Sequence, residues 1–343
     1  IEDWHLPTKT SMGVRDRLNY LLNLSQIENN YPENQPLITW GFHHYFHGRL
    51  TRHDLDQISS TRPIIVIHRS FHEFILNTPA MELLGINKNA FSSLDADEHL
   101  ANFDDGHFSE RGAIIVLPKL MQVFADPTKL MQGLQKTREY LHSNGITVIG
   151  NPGSMHNQNL QTAKNLIFGG IDSPFESYFF PSALNLTEQF ELNEILDAAK
   201  AQTSWGAGKL NYLSQHIKLF ADGAMYSQNM VMRDGYLDNH QGSWLMNLDT
   251  FENLFKIFWD DGYQIHIHQN GDAGLDRLLV TLEKNLANNP RADHRTTVVH
   301  FGYSAKDQLK KMKELGVIVS ANPYYVTALS DLYSRKGVGY ERS

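Results

Sequence analysis

The 343-residue chain contains no cysteine. That single absence removes disulfide frameworks, thiolate metal sites, iron–sulfur clusters and a cysteine nucleophile. No apolar run approaches the roughly 18 residues that a membrane helix requires, so no membrane partner is expected. Short-period repeats and low-complexity tracts are also missing, which excludes a solenoid. Basic residues number 30 against 38 acidic ones and gather into no stripe, giving a net charge of −8. A nucleic-acid partner is therefore excluded from the expectations. The opening residues, IEDWHLPTKTS, carry neither the basic start nor the apolar core of a secretory signal. They also lack a methionine, and the chain reads as trimmed from a longer, cytoplasmic protein.

What is present is globular. Apolar residues make up 41% and charged residues 20%, enough for a sizeable core. The length suits two ordinary domains or one α/β barrel with insertions. Short apolar runs at 36–42, 63–68, 145–150, 215–220, 263–268, 296–300 and 317–320 have the character of strands buried on both faces. Helical patterns at 127–142, 186–201, 249–259, 272–286 and 305–315 lie among the later ones. That alternation predicts parallel βαβ units. The stretch 30–125 is less regular and includes a loop rich in Asp, His and Gly (104–110). We expect a helical N-terminal segment over 1–29, an α+β insertion over 30–125 and the central barrel strands over 126–343.

Seventeen histidines make their positions the first place to seek chemistry. Lys218 lies within HIKLFADGA, His268 ends YQIHIH, and His300 ends TTVVH. The spacings of 50 and 32 residues suit successive parallel strands. In a barrel such strand ends converge on one face, where active sites are built. The plainer alternative is a polar residue at a sheet rim. His266 shares the face of His268, and the residue nearer the strand end is the preferred ligand. For Lys218 two readings stand. It is either a lysine paired with a carboxylate such as Asp222, or an amine whose pKa burial lowers enough to react with carbon dioxide. The resulting carbamate offers one negative charge and two hard oxygens to divalent cations.

At these residues the chain resembles the amidohydrolase superfamily, and within it the family 3 branch of N-substituted formamide deformylase-like enzymes. The resemblance rests on HIKLFADGA (216–224), HQNGD (268–272) and VVH (298–300). RLTRHDLD (49–56), the segment 63–86, LHSNGIT (141–147) and GVIVSANP (316–323) fit the same branch in the same order. It implies a metal-dependent (β/α)8 TIM barrel of the α/β class, flanked by a small β-sandwich. Lys218, often carboxylated in the family, His268 and His300 would be the metal ligands and catalytic centre. Zinc is the default cation, one or two ions, with manganese or iron as alternatives. His72, Asn77 and Tyr226 would shape the pocket of a small-molecule substrate. Asp222 and Asp272 would orient the ligands, or else cap the helices that follow.

Two features of the family are missing. No His-x-His precedes a strand near the N-terminus, His43-His44 being adjacent residues on a later run, and no late aspartate follows the seventh strand. Only strands two to seven are expected, so the barrel would be incomplete. The expected activity is hydrolysis of a C–N bond by a metal-activated water, in a protein that can form a homodimer. The alternative is a non-catalytic barrel that binds a ligand or serves in regulation.

Overall fold

Two apolar runs pair in parallel to organise the first part of the molecule. The structure is a computed structural model that describes residues 14, 16–32, 35–94, 100–123 and 126–343. Strands β1 (Leu37–Phe42), β2 (Ile64–His68), β3 (Glu73–Leu76), β4 (Ala101–Asn102) and β5 (His107–Ser109) form one sheet in the order β1-β2-β3-β5-β4. The β1–β2 pair is parallel and the remaining pairs are antiparallel. Side chains alternate across a strand, and β2 uses both faces. Ile65 and Ile67 pack with Phe74, Phe108, Val116 and Leu120, whereas Ile64 and Val66 pack with Tyr20, Leu24 and Leu37 on the other side. The helix Arg17–Asn30 supplies Tyr20 and Leu24. Residues 1–13 of the expected N-terminal helical segment lie outside the described residues.

The RLTRHDLD segment (49–56) has a structural purpose here. Thr51 caps the helix Arg52–Ile58 in a reciprocal box with Asp54. Leu55 is fully buried. Asp56 accepts the Thr78 N–H and hydroxyl at 2.8 and 2.7 Å, tying this helix to the next one.

The second part is parallel. Strands β6 (Val148–Ser154), β7 (Glu176–Pro181) and β8 (Leu210–Tyr212) form one sheet. Strands β9 (His216–Phe220), β10 (Gln264–Gln269), β11 (Thr297–His300) and β12 (Ile318–Ala321) form another, also all parallel. A parallel bridge between Ser182 and Lys218 joins the two into an arc. On its convex side Ile217, Leu219, Ile265, Ile267 and Val298 pack against Phe251, Leu254, Phe255, Phe258, Leu275, Leu278 and Leu282. Those residues come from the helices Leu248–Asp260 and Asp272–Asn288. Because the period is two, the same strands present Lys218, His266 and His268 to the concave side.

The α/β class is as expected, but the described residues form no closed barrel. The arc ends at β6 and β12, and no described strand pairs with the outer edge of either. Those ends are open to solvent, since all four β12 residues are exposed and Val148 of β6 is 61% exposed. No helix among the described residues is long and apolar enough to cross a membrane.

Candidate metal centre

The register brings Lys218, His268 and His300 together. Lys218 stands beside His266 across the β9–β10 pair, and His268 follows two residues on along the same face. His300 pairs with Gln269, not His268, so regular extension would turn its ring to the opposite face. It leaves the strand instead with φ +78, followed by Phe301 at +51, conformations that are costly for residues with a Cβ. Its ring then lies edge-on to His268, 4.5 Å between centroids. Lys218 is 2% exposed and runs beneath β6, where Gly153 has φ +103 and an added Cβ would stand 3.2 Å from Lys218 Cγ.

A fourth group arrives from the mixed sheet. His72, in the turn between β2 and β3, lies 5.4 Å from His268 between ring centroids. Its Nδ1 is 2.7 Å from Glu110 Oε2. The other carboxylate oxygen of Glu110 accepts the Ala224 N–H at 3.0 Å. Glu110 therefore fastens His72 to the loop that leaves β9. Nothing in the sequence singles out Glu110, because its partners lie 38 and 114 residues away.

The electrostatics suit a cation. Burial pushes the Lys218 amine down to about 7, and among the described residues it makes no ion pair. Asp222 is not its partner. That carboxylate is fully buried and accepts the N–H groups of Asn270, Gly271 and Val231 at 3.0, 2.7 and 2.9 Å. Burial nevertheless pushes Asp222 up to about 7, against the pull of those three donors. Burial also lowers His268 well below its ordinary value, with His300, His72 and Lys218 adding to it. His300 is pushed to about 3, first by burial and then by Lys218. Burial thus favours the uncharged form of both rings and of the amine. Neutral nitrogen donors gathered in a buried site fit a borderline divalent metal. Burial opposes the charge on His72, but Glu110 outweighs it and raises His72 above its ordinary value.

The remaining candidates stand elsewhere. Asn77 is fully buried and all of its side-chain bonds serve the fold. Its Oδ1 accepts from Ile64 N and Ala80 N, and its Nδ2 donates to Ser59 O and Arg62 O. Its amide therefore faces its own chain and not the centre. Asp272 lies in the first turn of its helix and accepts the Arg233 N–H at 2.8 Å. Asp222 serves the N-terminus of that same helix. An added Cβ on Gly274 would meet the Asp222 carboxylate at 2.6 Å. The capping alternative thus describes Asp222, but on a helix 50 residues on. Tyr226 packs against Tyr325 and His43.

Beside Tyr226 is a group of histidines that motif reading passed over. His43, His44 and His68 place their ligand atoms within 4.8 Å of one another. Parallel pairing of Phe42 with His68 explains it, since both histidine runs then leave the same sheet end. Glu73, 5% exposed, lies behind them, 3.6 Å from His68 Nδ1 and 2.6 Å from His107 Nε2. Burial opposes ionisation of Glu73, yet His68 and His107 hold its carboxyl far below the usual range. Ser70 links the two centres, since its Oγ meets His68 Nδ1 at 2.9 Å, the His72 N–H at 3.0 Å and Ser227 Oγ at 3.2 Å.

Comparison with known proteins places this geometry in context. The profile of the amidohydrolase family matches residues 41–342. YtcJ of Bacillus subtilis (strain 168), a protein named as an amidohydrolase, is 20% identical over 300 residues, 81% of this chain and 51% of its own. The protein LONG AFTER FAR-RED 3 of Arabidopsis thaliana is 26% identical over 129 residues, 37% of this chain and 22% of its own. The chain thus spans about half the length of YtcJ or less of these curated relatives. A crystal structure titled as an uncharacterized metal-dependent hydrolase from Pyrococcus horikoshii OT3 superposes with a TM-score of 0.63 at 17% identity, covering 96% of this chain and 61% of that one. A second such structure, from Pyrococcus furiosus, gives 0.58 at 21% identity, covering 96% and 63%.

Proposed function

The chain belongs to the amidohydrolase family, in its family 3 branch, and on that premise we propose that it forms the central part of a metal-dependent hydrolase cleaving a C–N bond of amide or formamide type in a small molecule. The same premise supports a (β/α)8 barrel in the whole protein, with further strands on the open edges of β6 and β12.

The observation that carries the reading is Lys218. A buried lysine with no carboxylate partner among the described residues is costly as an ammonium, and burial lowers its pKa to about 7. Its free amine adds to the carbon of carbon dioxide, forming an N–C bond and releasing one proton to solvent. The product is an anionic carbamate with two oxygen ligands beside His268 and His300. These three residues would hold a divalent cation, zinc by preference, with manganese or iron as alternatives. Such a cation supplies Lewis acidity and brings the pKa of a bound water to about 7.

The protein's own groups complete the site. His72, whose pKa the neighbouring Glu110 carboxylate raises, would supply a proton to a leaving nitrogen near His268. Asp222 orients His268 indirectly. It fixes the Asn270 backbone, and Asn270 Nδ2 stands 3.0 Å from His268 Nε2. Tyr226, packed against His43 and Tyr325, would contact substrate.

The test is elemental analysis of the whole protein and its Lys218→Ala variant, alongside hydrolysis assays with N-formyl and N-acyl amines. We expect stoichiometric zinc, manganese or iron that falls in the variant together with turnover. Undiminished turnover in Lys218→Ala would overturn the reading. Metal-binding protein inert to every amide would point to the ligand-binding alternative.

A further inference from the structure

We propose that His43, His44 and His68 form a second cation site, separate from the Lys218 centre and suited to a borderline transition metal such as zinc or cobalt(II). Three observations meet there. The ligand atoms lie within 4.8 Å of one another. The backbone brings them together, through parallel register at Phe42–His68 and the short helix His44–His47 that follows. A buried carboxylate, Glu73, stands 3.6 Å from His68 and supplies the negative charge that a divalent ion in a half-buried site needs.

The donor chemistry is three imidazoles, with His44 stacked on His68 at 5.5 Å and His43 5.0 Å from His68 between centroids. Such a set selects zinc, cobalt, nickel or copper over magnesium or calcium, which prefer oxygen. His68 Nδ1 meets Ser70 Oγ at 2.9 Å. Its Nδ1 also accepts the Ser70 N–H at 3.2 Å, so binding a metal through Nε2 requires the tautomer that moves the ring proton to Nδ1, toward Ser70 Oγ. His43 requires a tautomer change, because its Nδ1 accepts the Tyr45 N–H in a long contact of 3.2 Å. Ligands of a tetrahedral ion at about 2.1 Å stand roughly 3.4 Å apart. The group must therefore contract on loading, which half-buried His44 achieves by side-chain rotation. Tyr226 packs edge-on to His43, 5.8 Å between centroids.

The site is separable from the hydrolytic centre by mutation. The full chain carrying Lys218→Ala, stripped of metal, is titrated with cobalt(II) and followed by its visible absorption. We expect one equivalent to bind with the intense bands of a four-coordinate ion, and affinity to fall at least tenfold when His44→Gln is added. X-ray absorption of the zinc-loaded chain carrying Lys218→Ala and His268→Ala, which leaves the hydrolytic centre at most two imidazoles, should count three imidazole ligands. No cobalt bound to Lys218→Ala, or binding indifferent to His44→Gln in a folded chain, would overturn the proposal. So would fewer than three imidazoles around the zinc.

Discussion

Glu110 holds His72 with one carboxylate oxygen, 2.7 Å from Nδ1, and ties it to the loop after β9 with the other. The pair couples the mixed sheet to the parallel arc, and its charge state makes the coupling pH-dependent. The folded pKa of His72 is raised above the ordinary 6.5. Its contribution is therefore fully present below pH 6.5 and is lost as pH rises through the folded value. The Glu110 carboxylate is wholly buried. Glu110→Gln should cost on the order of 2–3 kcal/mol near pH 6 and less near pH 9. Urea unfolding of both proteins at the two pH values measures this, and an equal loss at both would refute it.

Lys218 predicts the opposite slope. Its folded pKa is depressed to about 7 from 10.5. Stability is thus greatest above the unfolded value and declines as pH falls toward 7, where the folded chain must accept a buried charge. In metal-free, carbon dioxide-free buffer, Lys218→Met should be more stable than the parent by about 2–4 kcal/mol at pH 7. The advantage should shrink toward pH 10. Parent and variant unfolding at the same urea concentration at pH 7 would show that the amine has a partner the geometry lacks.

Asp222 is predicted to matter more for folding than for charge. Replacing it with alanine leaves the buried N–H groups of Asn270, Gly271 and Val231 without an acceptor. At about 1 kcal/mol or more per unsatisfied donor, Asp222→Ala should lose on the order of 3 kcal/mol. Metal affinity should fall as well, because the Asn270 loop that contacts His268 loosens. Thermal melting and cobalt titration of the variant check the two effects separately.

These cases mark what was legible beforehand. Lys218 stood out as a charge inside an apolar run, and His268 and His300 as polar residues at or near the ends of such runs in a parallel sheet; alternation within a strand is local information. Strands β9 to β12 were readable for the same reason. Glu110 and the His43–His44–His68 group were not, since their meeting depends on the β1–β2 register and on short antiparallel strands within an Asp-, His- and Gly-rich segment. Asn77 shows the converse. A residue matching a family motif spends all its hydrogen bonds on Ile64, Ala80, Ser59 and Arg62. Strand β7, ESYFFP, went unnoticed because it has no polar strand-end residue to mark it. The barrel came from the resemblance, with only part of it expected in this chain; the described residues form an open arc, and alternation by itself says nothing of closure.

The passage of Lys218 beneath β6 gives the last prediction. Gly153 adopts φ +103, a conformation L side chains rarely take, and its Cα faces the lysine stem. Alanine there adds backbone strain of about 1 kcal/mol or more. It also sets a methyl 3.2 Å from Cγ and 3.4 Å from Cβ of Lys218. The stem is held at its base by the bridge to Ser182, so it cannot withdraw, and the amine must turn away from His268 and His300. Gly153→Ala should therefore weaken cobalt(II) binding at the Lys218 centre while leaving the histidine group at β1–β2 unaffected. Measured in a His44→Gln background, where only the Lys218 centre remains, affinity should drop severalfold. Unchanged affinity there, with stability lowered as expected, would mean that the amine does not need the path under Gly153 to reach the metal.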